Sequence, residues 1–307
     1  GHDVAVIERD PEICARVGEE LDVLTVLGNG ASRLILEQAS MGRADLLVAV
    51  TDSDEVNMIA CMTAKQVGVG LTVARIRNQE YIDDSGVLTA GFVGVDHVIQ
   101  PEAAVADEIT KLAVVPGALD VETFAHGQVS VVEVEVDPAS PALGIPLRDL
   151  GLPEGVLVTA ILRGAETSVP RGDANLQAHD RVFLTGKADA TVAAAGRLTG
   201  QHGLPKKVIL MGCGEIGMRI ALGLEERHIR LTVFEKSAER AALAAATLRR
   251  SLVIEDEGID EAVLVREGVD AADLFVAATG DDRLNILTAL VAKQLGAKRT
   301  IAVVERS

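Results

Sequence analysis

Short apolar runs recur along both ends of the chain, each bounded by polar or turn-forming residues. Val4-Ala5-Val6-Ile7, residues 46–50 and residues 208–211 are almost continuously apolar, as parallel strands are when helices cover both faces of their sheet. After such runs, apolar residues return at helical spacing, as Ile220 and Leu224 do. This pattern predicts alternating strands and helices, and therefore an α/β fold built on parallel sheets.

One stretch of this pattern occurs twice. The segment that begins Ala44-Asp45-Leu46 returns as Ala272-Asp273-Leu274, at a constant offset of 228 residues. Fourteen of the 31 positions from 44 to 74 are identical in the two copies, including Thr51 and Thr279. Shared composition does not produce so many matches at one offset, so the chain contains a duplicated domain.

The second copy carries a glycine-rich turn in the context that a dinucleotide-binding fold requires. A predicted strand ends at Met211, the turn Gly212-Cys213-Gly214-Glu215-Ile216-Gly217 follows, and a helical run comes next. The first glycine permits a tight turn, the second lets the backbone approach a pyrophosphate, and the third lets helix and strand pack closely. The helix N-terminus offers N–H groups to the phosphates. A domain that has lost its ligand can keep the same glycines for packing alone.

An acidic residue ends the next predicted strand. Glu235 lies 23 residues after Gly212 and is placed to accept hydrogen bonds from ribose hydroxyls. Its charge should repel a 2′-phosphate, so we expect NAD(H) or adenosine nucleotides to bind better than NADP(H). In the first copy Glu8 takes this position at an offset of 227, which places residue 1 after the strand and the glycine turn. We therefore expect the start of the first copy, with its phosphate loop, to be missing.

A segment of different character separates the copies. Residues 129–133 alternate as a half-buried strand would, and the short apolar runs 156–162 and 181–184 are separated by turns rich in Gly and Pro. This pattern predicts a small α+β module. We expect three domains: a first nucleotide-binding domain at 1–115, the small module at 116–200, and a second nucleotide-binding domain at 201–307.

Composition narrows the function classes. The formal net charge is −17, which opposes binding to nucleic acid or to an anionic membrane surface. No apolar run is long enough to cross a bilayer, and the N-terminus shows no signal peptide. Cys14, Cys61 and Cys213 are far apart and odd in number, so we expect reduced core or turn residues without metal-ligand spacing. His179 has no residue at the spacing of a catalytic or metal-binding partner and is expected to be an ordinary surface or loop histidine.

Two groups of residues resemble a known family. The run from Ala49 to Asn57, with Ala74-Arg75-Ile76-Arg77-Asn78, resembles the RCK/KTN nucleotide-binding domain. Ser140-Pro141-Ala142-Leu143-Gly144 and Val169-Pro170-Arg171-Gly172-Asp173 resemble the small C-terminal RCK module. The order of large, small and large domain resembles the tandem RCK regulatory proteins of Trk-type potassium uptake systems. The resemblance covers nearly the whole chain and implies two Rossmann-like, doubly wound parallel sheets that flank an α+β module.

This resemblance implies a cytoplasmic, non-catalytic subunit, peripheral on the inner face of the cell membrane. Its partner would be a membrane-embedded potassium-translocating subunit, and its domains would self-associate into a ring, a homotetramer. Binding of NAD(H), or of ATP or ADP as the alternative, would change the ring's shape and gate transport. A full-length relative would carry a second small module after the second large domain, which these 307 residues do not include.

The resemblance also assigns site residues in both copies. Glu8 and Glu235 match the acidic ribose-binding position, and Thr51 and Asp52 match residues that lie beside the nucleotide. The second copy keeps the threonine as Thr279.

Two of the predicted site positions differ between the copies. Asp52 becomes Gly280, and Arg75 becomes Val303. An arginine at position 75 could pair with a phosphate in bidentate fashion. Its loss indicates that the two sites differ in ligand or in affinity.

Most of these residues also have a structural interpretation. Thr51 and Asp52 come between a strand and a helix, where such side chains cap helix N-termini, and Glu8 could be a solvated strand-end residue. For Asp54 and Asn57, capping of the helix is the favoured interpretation.

Two other functions stay open. An NAD-dependent oxidoreductase can use this fold, but it needs a catalytic acid or base and a substrate pocket, usually built by another sizeable domain. The middle module is small and shows no His–Asp or Tyr–Lys arrangement, so we expect a protein without catalysis of its own. A stand-alone nucleotide sensor with a different partner is the second alternative.

Overall fold

The apolar runs of the sequence form parallel strands, and the segments between them form helices. The computed structural model describes residues 2–82, 89, 91–201 and 203–304, in which the chain divides into two units, Gly1–Glu102 and Ala103–Ser307. The predicted α/β fold class is confirmed by this alternation and by the parallel pairing. The predicted domain boundaries stay predictions.

The first unit consists of parallel strands with helices between them. Its strands are β1 (Ala5–Glu8), β2 (Leu24–Leu27), β3 (Leu46–Ala49), β4 (Leu71–Arg75) and β5 (His97–Ile99). Its helices are α1 (Pro11–Glu20), α2 (Arg33–Gln38) and α3 (Asp54–Gln66), and α4 (Pro101–Val114) begins at its end. β1 pairs with β2, while β3, β4 and β5 form a separate sheet. In the part of this unit that the structure describes, no strand joins β1 to β3.

The second unit contains a small antiparallel sheet. Its strands are β6 (Ala118–Phe124), β7 (Val129–Glu135), β8 (Leu157–Arg163), β9 (Glu166–Ser168) and β10 (Arg181–Gly186), in the order β6-β7-β10-β8-β9. Helix α5 (Ala188–Thr199) packs against β7 and β10. The apolar pattern predicts β7, β8 and β10. It does not predict α5, because that helix is rich in Ala and its apolar periodicity is weak.

A five-stranded parallel sheet forms the rest of the second unit. Its strands are β11 (Val208–Met211), β12 (Leu231–Glu235), β13 (Leu252–Glu255), β14 (Leu274–Ala277) and β15 (Thr300–Ala302), in the order β13-β12-β11-β14-β15. Its helices are α6 (Glu215–Glu226), α7 (Ala238–Thr247), α8 (Glu261–Arg266) and α9 (Asp282–Leu295). The strand order reverses between β11 and β14. In open α/β sheets, a ligand binds at this reversal, beyond the carboxyl ends of the strands.

The sequence repeat is also a repeat of strand register. Ala49 lies opposite Ala74 in the first unit, and Ala277 lies opposite Ala302 in the second. The environment of the two strands differs, however. The side chain of Val48 in β3 is 48% exposed, whereas its counterpart Val276 in β14 is fully buried. The reason is β11, which pairs with β14 and has no counterpart among the described residues beside β3.

Helix α4 packs into the core of the second unit. Ala106, Ile109 and Ala113 lie in one apolar cluster with Ile220 and Leu224 of α6. These three residues repeat at intervals of three and four, so they form one face of the helix. The face is buried, which ties α4 to the five-stranded sheet.

A partly buried arginine holds the C-terminal end of α4. Arg299, immediately before β15, donates hydrogen bonds to the carbonyl oxygens of Leu112, Val115 and Ala118 at 2.9–3.0 Å. Burial lowers the pKa of Arg299 to about 10, so the guanidinium is still charged at neutral pH. The negative end of the helix dipole favours a cation there. The corresponding residue of the first copy is Leu71, so this arginine belongs to the second copy's contact with α4.

We expect Arg299→Met to lower the free energy of unfolding by about 3 kcal/mol, because three buried carbonyl groups lose a charged donor. The urea midpoint, followed by circular dichroism, measures the loss, and hydrogen exchange should increase at residues 112–118. Lys298→Met is the matched control, since its ion pair with Asp273 is exposed and should contribute less than about 1 kcal/mol. An unchanged midpoint in the Arg299 variant would contradict the assignment.

Candidate nucleotide-binding site

The glycine turn after β11 has the geometry that its sequence predicts. Gly212 has φ +92°, a left-handed conformation that favours glycine. A Cβ atom on Gly217 would lie 2.1 Å from the Gly212 carbonyl oxygen, so no side chain fits there. A Cβ atom on Gly214 would meet nothing within 4 Å. Gly214 is also the N-cap of α6 and makes no side-chain cap bond, so the first N–H groups of the helix stay available to an anion.

Glu235 at the end of β12 is joined to this turn. Its Oε2 accepts a hydrogen bond from the Cys213 N–H at 2.8 Å, and its Oε1 accepts from the Ser237 N–H and from Arg240. The side chain is almost completely buried. Burial alone would raise the pKa of Glu235, but the bonds from Arg240, Ser237 and Cys213 outweigh it and lower the pKa. The site therefore contains a carboxylate, and Oε2 keeps a lone pair for a ribose hydroxyl.

Arg240 is a site residue that the sequence interpretation missed. Its guanidinium lies 2.7 Å from Glu235 Oε1, and about half of its side chain is exposed. The spacing could have revealed it, because five residues after a strand-ending glutamate is the first turn of the next helix. The positive charge offsets Glu235, so repulsion of a 2′-phosphate is weaker than the sequence alone predicts.

Cys213 is a packing residue of the turn. Burial, with the nearby charge of Glu235, raises the pKa of its thiol to about 11. A thiol of that kind is protonated at neutral pH and unreactive. Cys14, Cys61 and Cys213 are all free and buried, as the sequence predicts.

A buried asparagine clamps the ends of β14 and β15. Asn285 in α9 is fully buried, and its Oδ1 accepts hydrogen bonds from the backbone N–H and the hydroxyl of Thr279 at 2.9 and 2.6 Å. Its Nδ2 donates to the carbonyl oxygens of Thr279 and Val303, both at 2.9 Å. Two donors and two acceptor sites are thus all used. The clamp holds Thr279, a predicted site residue, at the edge of the cleft.

The first copy contains the same clamp. Asn57 accepts from the N–H and the hydroxyl of Thr51 and donates to the carbonyl oxygens of Thr51 and Arg75. The favoured interpretation of Asn57 as a helix cap is therefore wrong. Ser53 caps α3, since its hydroxyl accepts from the Val56 N–H. The identity of this asparagine in both copies was the signal that could have found the clamp.

Asp54 is not a cap either. Its Oδ2 accepts hydrogen bonds from the backbone N–H groups of Arg77 and Asn78, at 2.9 and 2.8 Å. Asp54 is the first residue of α3, and its buried carboxylate holds the loop that follows β4.

The remaining predicted residues of the first copy have partners within its unit. Arg75 pairs with Glu102 at the start of α4, so a phosphate would have to replace this carboxylate. Asp52 pairs with Arg9 at 3.0 Å on the surface. Glu8 Oε1 accepts hydrogen bonds from the N–H groups of Arg9 and Asp10, which makes it a strand-end anchor as well as a ribose candidate.

An open cavity of about 370 Å³ lies at the carboxyl ends of β14 and β15, next to the glycine turn. Two residues of the predicted binding site, Ile216 and Thr279, line this cavity. It is lined by Ile216, Thr279, Gly280, Asp281, Asp282, Arg283 and Val303. Glu215, the other predicted residue of the turn, begins α6 and lies 4.0 Å from Arg219, a weak pairing within one helix. The volume is within the range of small-molecule sites.

His179 is an exposed turn residue, as expected, and it has a partner that its spacing in the sequence did not indicate. Its Nδ1 lies 2.8 Å from Glu135 Oε1, and its φ is +67°. It is therefore a turn residue with a carboxylate partner, in a conformation that favours glycine.

The residues that the structure describes provide neither a metal-binding cluster nor a membrane-spanning helix. They contain no cluster of three or more His, Cys, Asp or Glu side chains that could hold a metal ion. Their helices include none long and apolar enough to span a membrane.

Comparison with protein families places this geometry among known domains. The TrkA-N domain family matches residues 1–101 and 208–307, and the TrkA-C domain family matches residues 131–198. The Trk system potassium uptake protein trkA homolog 1 of Methanosarcina mazei is 38% identical over 314 residues, which cover all of this chain and 77% of that protein. The Trk system potassium uptake protein TrkA of Halomonas elongata is 33% identical and is covered to 68%.

Solved structures share the fold. The crystal structure of the GsuK RCK domain superposes with a TM-score of 0.65 at 17% identity, and covers 97% of this chain and 68% of that one. The GsuK channel bound to NAD superposes with a TM-score of 0.65 at 16% identity, and 56% of that chain is covered.

We expect Asn285→Leu to lower the free energy of unfolding by about 3 kcal/mol, since it leaves buried backbone groups at the ends of β14 and β15 without partners. Thermal and urea unfolding followed by circular dichroism measure the change. Gln294→Leu, on an exposed position of the same helix, should change stability by less than about 0.5 kcal/mol. If the two variants had the same free energy of unfolding, the clamp would contribute nothing to the stability of the domain.

Proposed function

Because the chain belongs to the TrkA family of Trk system potassium uptake proteins, we propose that it is the nucleotide-sensing regulatory part of a potassium uptake system. The observation that carries this proposal is the cleft of the second unit. There the open Gly214, the uncapped start of α6 and the ionised Glu235 meet at one strand-to-helix turn.

The proposed ligand is a nucleotide that carries a pyrophosphate, either NAD(H) or, as the alternative, ATP or ADP. The α6 N–H groups would bind the pyrophosphate, and Glu235 would accept hydrogen bonds from the ribose. A protein of the same fold, the GsuK channel, has been solved with NAD and with ADP bound. Residues Glu8, Thr51, Asp52 and Arg75 are proposed to form the ligand-binding edge of the first copy.

The proposed partner is a membrane-embedded potassium-translocating subunit on whose cytoplasmic face the protein would assemble as a homotetrameric ring. Two nucleotide domains with different cleft residues can respond to different ligands. Each ligand that binds one conformation of the assembly better than the other shifts the population and so changes transport.

An NAD-dependent oxidoreductase is the rival function. None of the residues that line the cavity is a His, Cys, Lys or Tyr. The oxygen Oδ1 of Asp281 already accepts hydrogen bonds from the Arg283 and Leu284 N–H groups. These observations support a binding role without catalysis. Turnover of NADH with candidate substrates would support the rival, and a partner other than a transporter would support a stand-alone sensor.

Gly214→Val should abolish nucleotide binding by the second copy, a loss of about 100-fold or more, because the side chain would fill the place of the pyrophosphate. The fold should be preserved, since φ is −69° and no atom lies within 4 Å of the added Cβ. Calorimetric titration of the full-length protein measures the effect. Ala262→Val, on the exposed start of α8, is the control that should bind normally.

Potassium flux through proteoliposomes that contain the translocating subunit should depend on this protein and on nucleotide. We expect NADH and ATP to change the flux differently, because a ligand shifts a two-state assembly only by its difference in affinity for the two states. The full-length chain and its Gly214→Val variant are compared at saturating nucleotide. The proposal would be refuted if the potassium flux stayed the same when the protein and the nucleotide were added.

A further inference from the structure

The two copies carry opposite charges at one position of the cleft edge. Glu55 in the second residue of α3 corresponds, at the constant offset of 228, to Arg283 in the second residue of α9. Positions 75 and 77 change in the other direction: Arg75 becomes Val303, and Arg77 becomes Glu305, which lies outside the described residues. The second copy thus loses arginines from its strand edge and gains one on its helix.

Arg283 faces the cavity of the second unit. It is the only basic residue among those that the structure places around this cavity, together with Ile216 of the glycine-turn helix and Thr279. At this edge Asp52 is replaced by Gly280 and Ser53 by Asp281, so these two positions keep one carboxylate between them. Nothing lies within 4 Å of a Cβ atom built on Gly280. The cavity is therefore open beside Gly280, and Arg283 is one of the residues that line it.

The backbone of α9 does not compete for the same anion. Asp281 caps the helix, and its Oδ1 accepts hydrogen bonds from the Arg283 and Leu284 N–H groups at 3.0 and 3.1 Å. Those two N–H groups are used by the cap and do not bind a phosphate at this edge. Arg283 is the positively charged side chain of this lining. The neighbouring carboxylates of Asp281 and Asp282 reduce the positive electrostatic potential around it.

The first copy shows the opposite arrangement. Glu55 accepts hydrogen bonds from the hydroxyls of Ser53 and Tyr81 at 2.8 and 3.1 Å, so this position holds an anion of the protein itself. A phosphate is excluded there by charge, and the arginines of the strand edge are the cations of that copy.

We propose that Arg283 binds the terminal phosphate of a nucleoside diphosphate or triphosphate, and that the second cleft therefore prefers ADP or ATP to NAD(H). The inference rests on the proposed nucleotide-binding function. A nucleotide whose inner phosphates lie on the glycine turn extends past Thr279 towards α9. A free terminal phosphate keeps its negative charge at that place, whereas a dinucleotide carries a ribose and a nicotinamide there.

The test is calorimetric titration of the full-length protein with ADP, ATP and NADH, in which binding lost on Gly214→Val is assigned to the second cleft. Arg283→Glu, which installs the residue of the first copy, should weaken ADP and ATP at this cleft by about tenfold. NADH affinity should change by less than about twofold, because its contact there carries no terminal phosphate. The loss of ADP and ATP affinity caused by Arg283→Glu should be smaller at high salt, since exposed charges are screened.

Arg266→Ala on the surface of α8 is the matched control, because it removes a positive charge from the same unit away from the cavity. It should leave all three affinities unchanged. If no nucleotide binds to the second cleft, the proposed function fails. A second outcome is that nucleotides bind and that Gly214→Val abolishes this binding. In that case, the role of Arg283 is refuted if Arg283→Glu lowers the affinities for ADP and NADH equally, or lowers neither. Tighter binding of NADH than of ADP by the unaltered cleft would also refute it.

Discussion

The start of α6 packs directly against the carbonyl oxygen of Gly212, and this contact is possible only because residue 217 is a glycine without a side chain. A Cβ atom at position 217 would lie 2.1 Å from that oxygen. The turn is tight enough for this contact because Gly212 adopts φ +92°. The helix therefore begins where the strand ends, and its uncapped N–H groups point to the carboxyl edge of the sheet.

Charged groups then adapt this backbone frame to a ligand. Glu235 is held to the turn through the Cys213 N–H, and Arg240 balances its charge. In the first copy, Ile13 takes the position of Arg240. The arginine at the strand edge of that copy, Arg75, is already paired with Glu102. The two clefts share a scaffold, but they present different electrostatic surfaces to an anionic ligand.

The sequence predicted the parts of this architecture that depend on local pattern. Apolar runs gave the parallel strands, the constant offset gave the duplication, and the glycine spacing gave the turn. The family and the fold class are confirmed. Contacts between distant residues were beyond the pattern: Asn57 reaches the Arg75 carbonyl, and Arg299 reaches the end of α4. From the sequence alone, a polar residue near the start of a helix cannot be distinguished from a helix cap, because the neighbouring strand is not known. The prediction that Asn57 caps the helix is wrong for this reason.

The asparagine clamp has a consequence for how the duplicated copies evolve. Asn57 and Asn285 bind main-chain atoms and one threonine each, so the clamp does not depend on which side chains its other partners carry. It contacts the backbone of Arg75 in one copy and of Val303 in the other with the same geometry. Mutations in the ligand-facing side chains are thus separated from those that would unfold the domain. The side chains at the two cleft edges can therefore differ while the clamp and the shared fold stay the same.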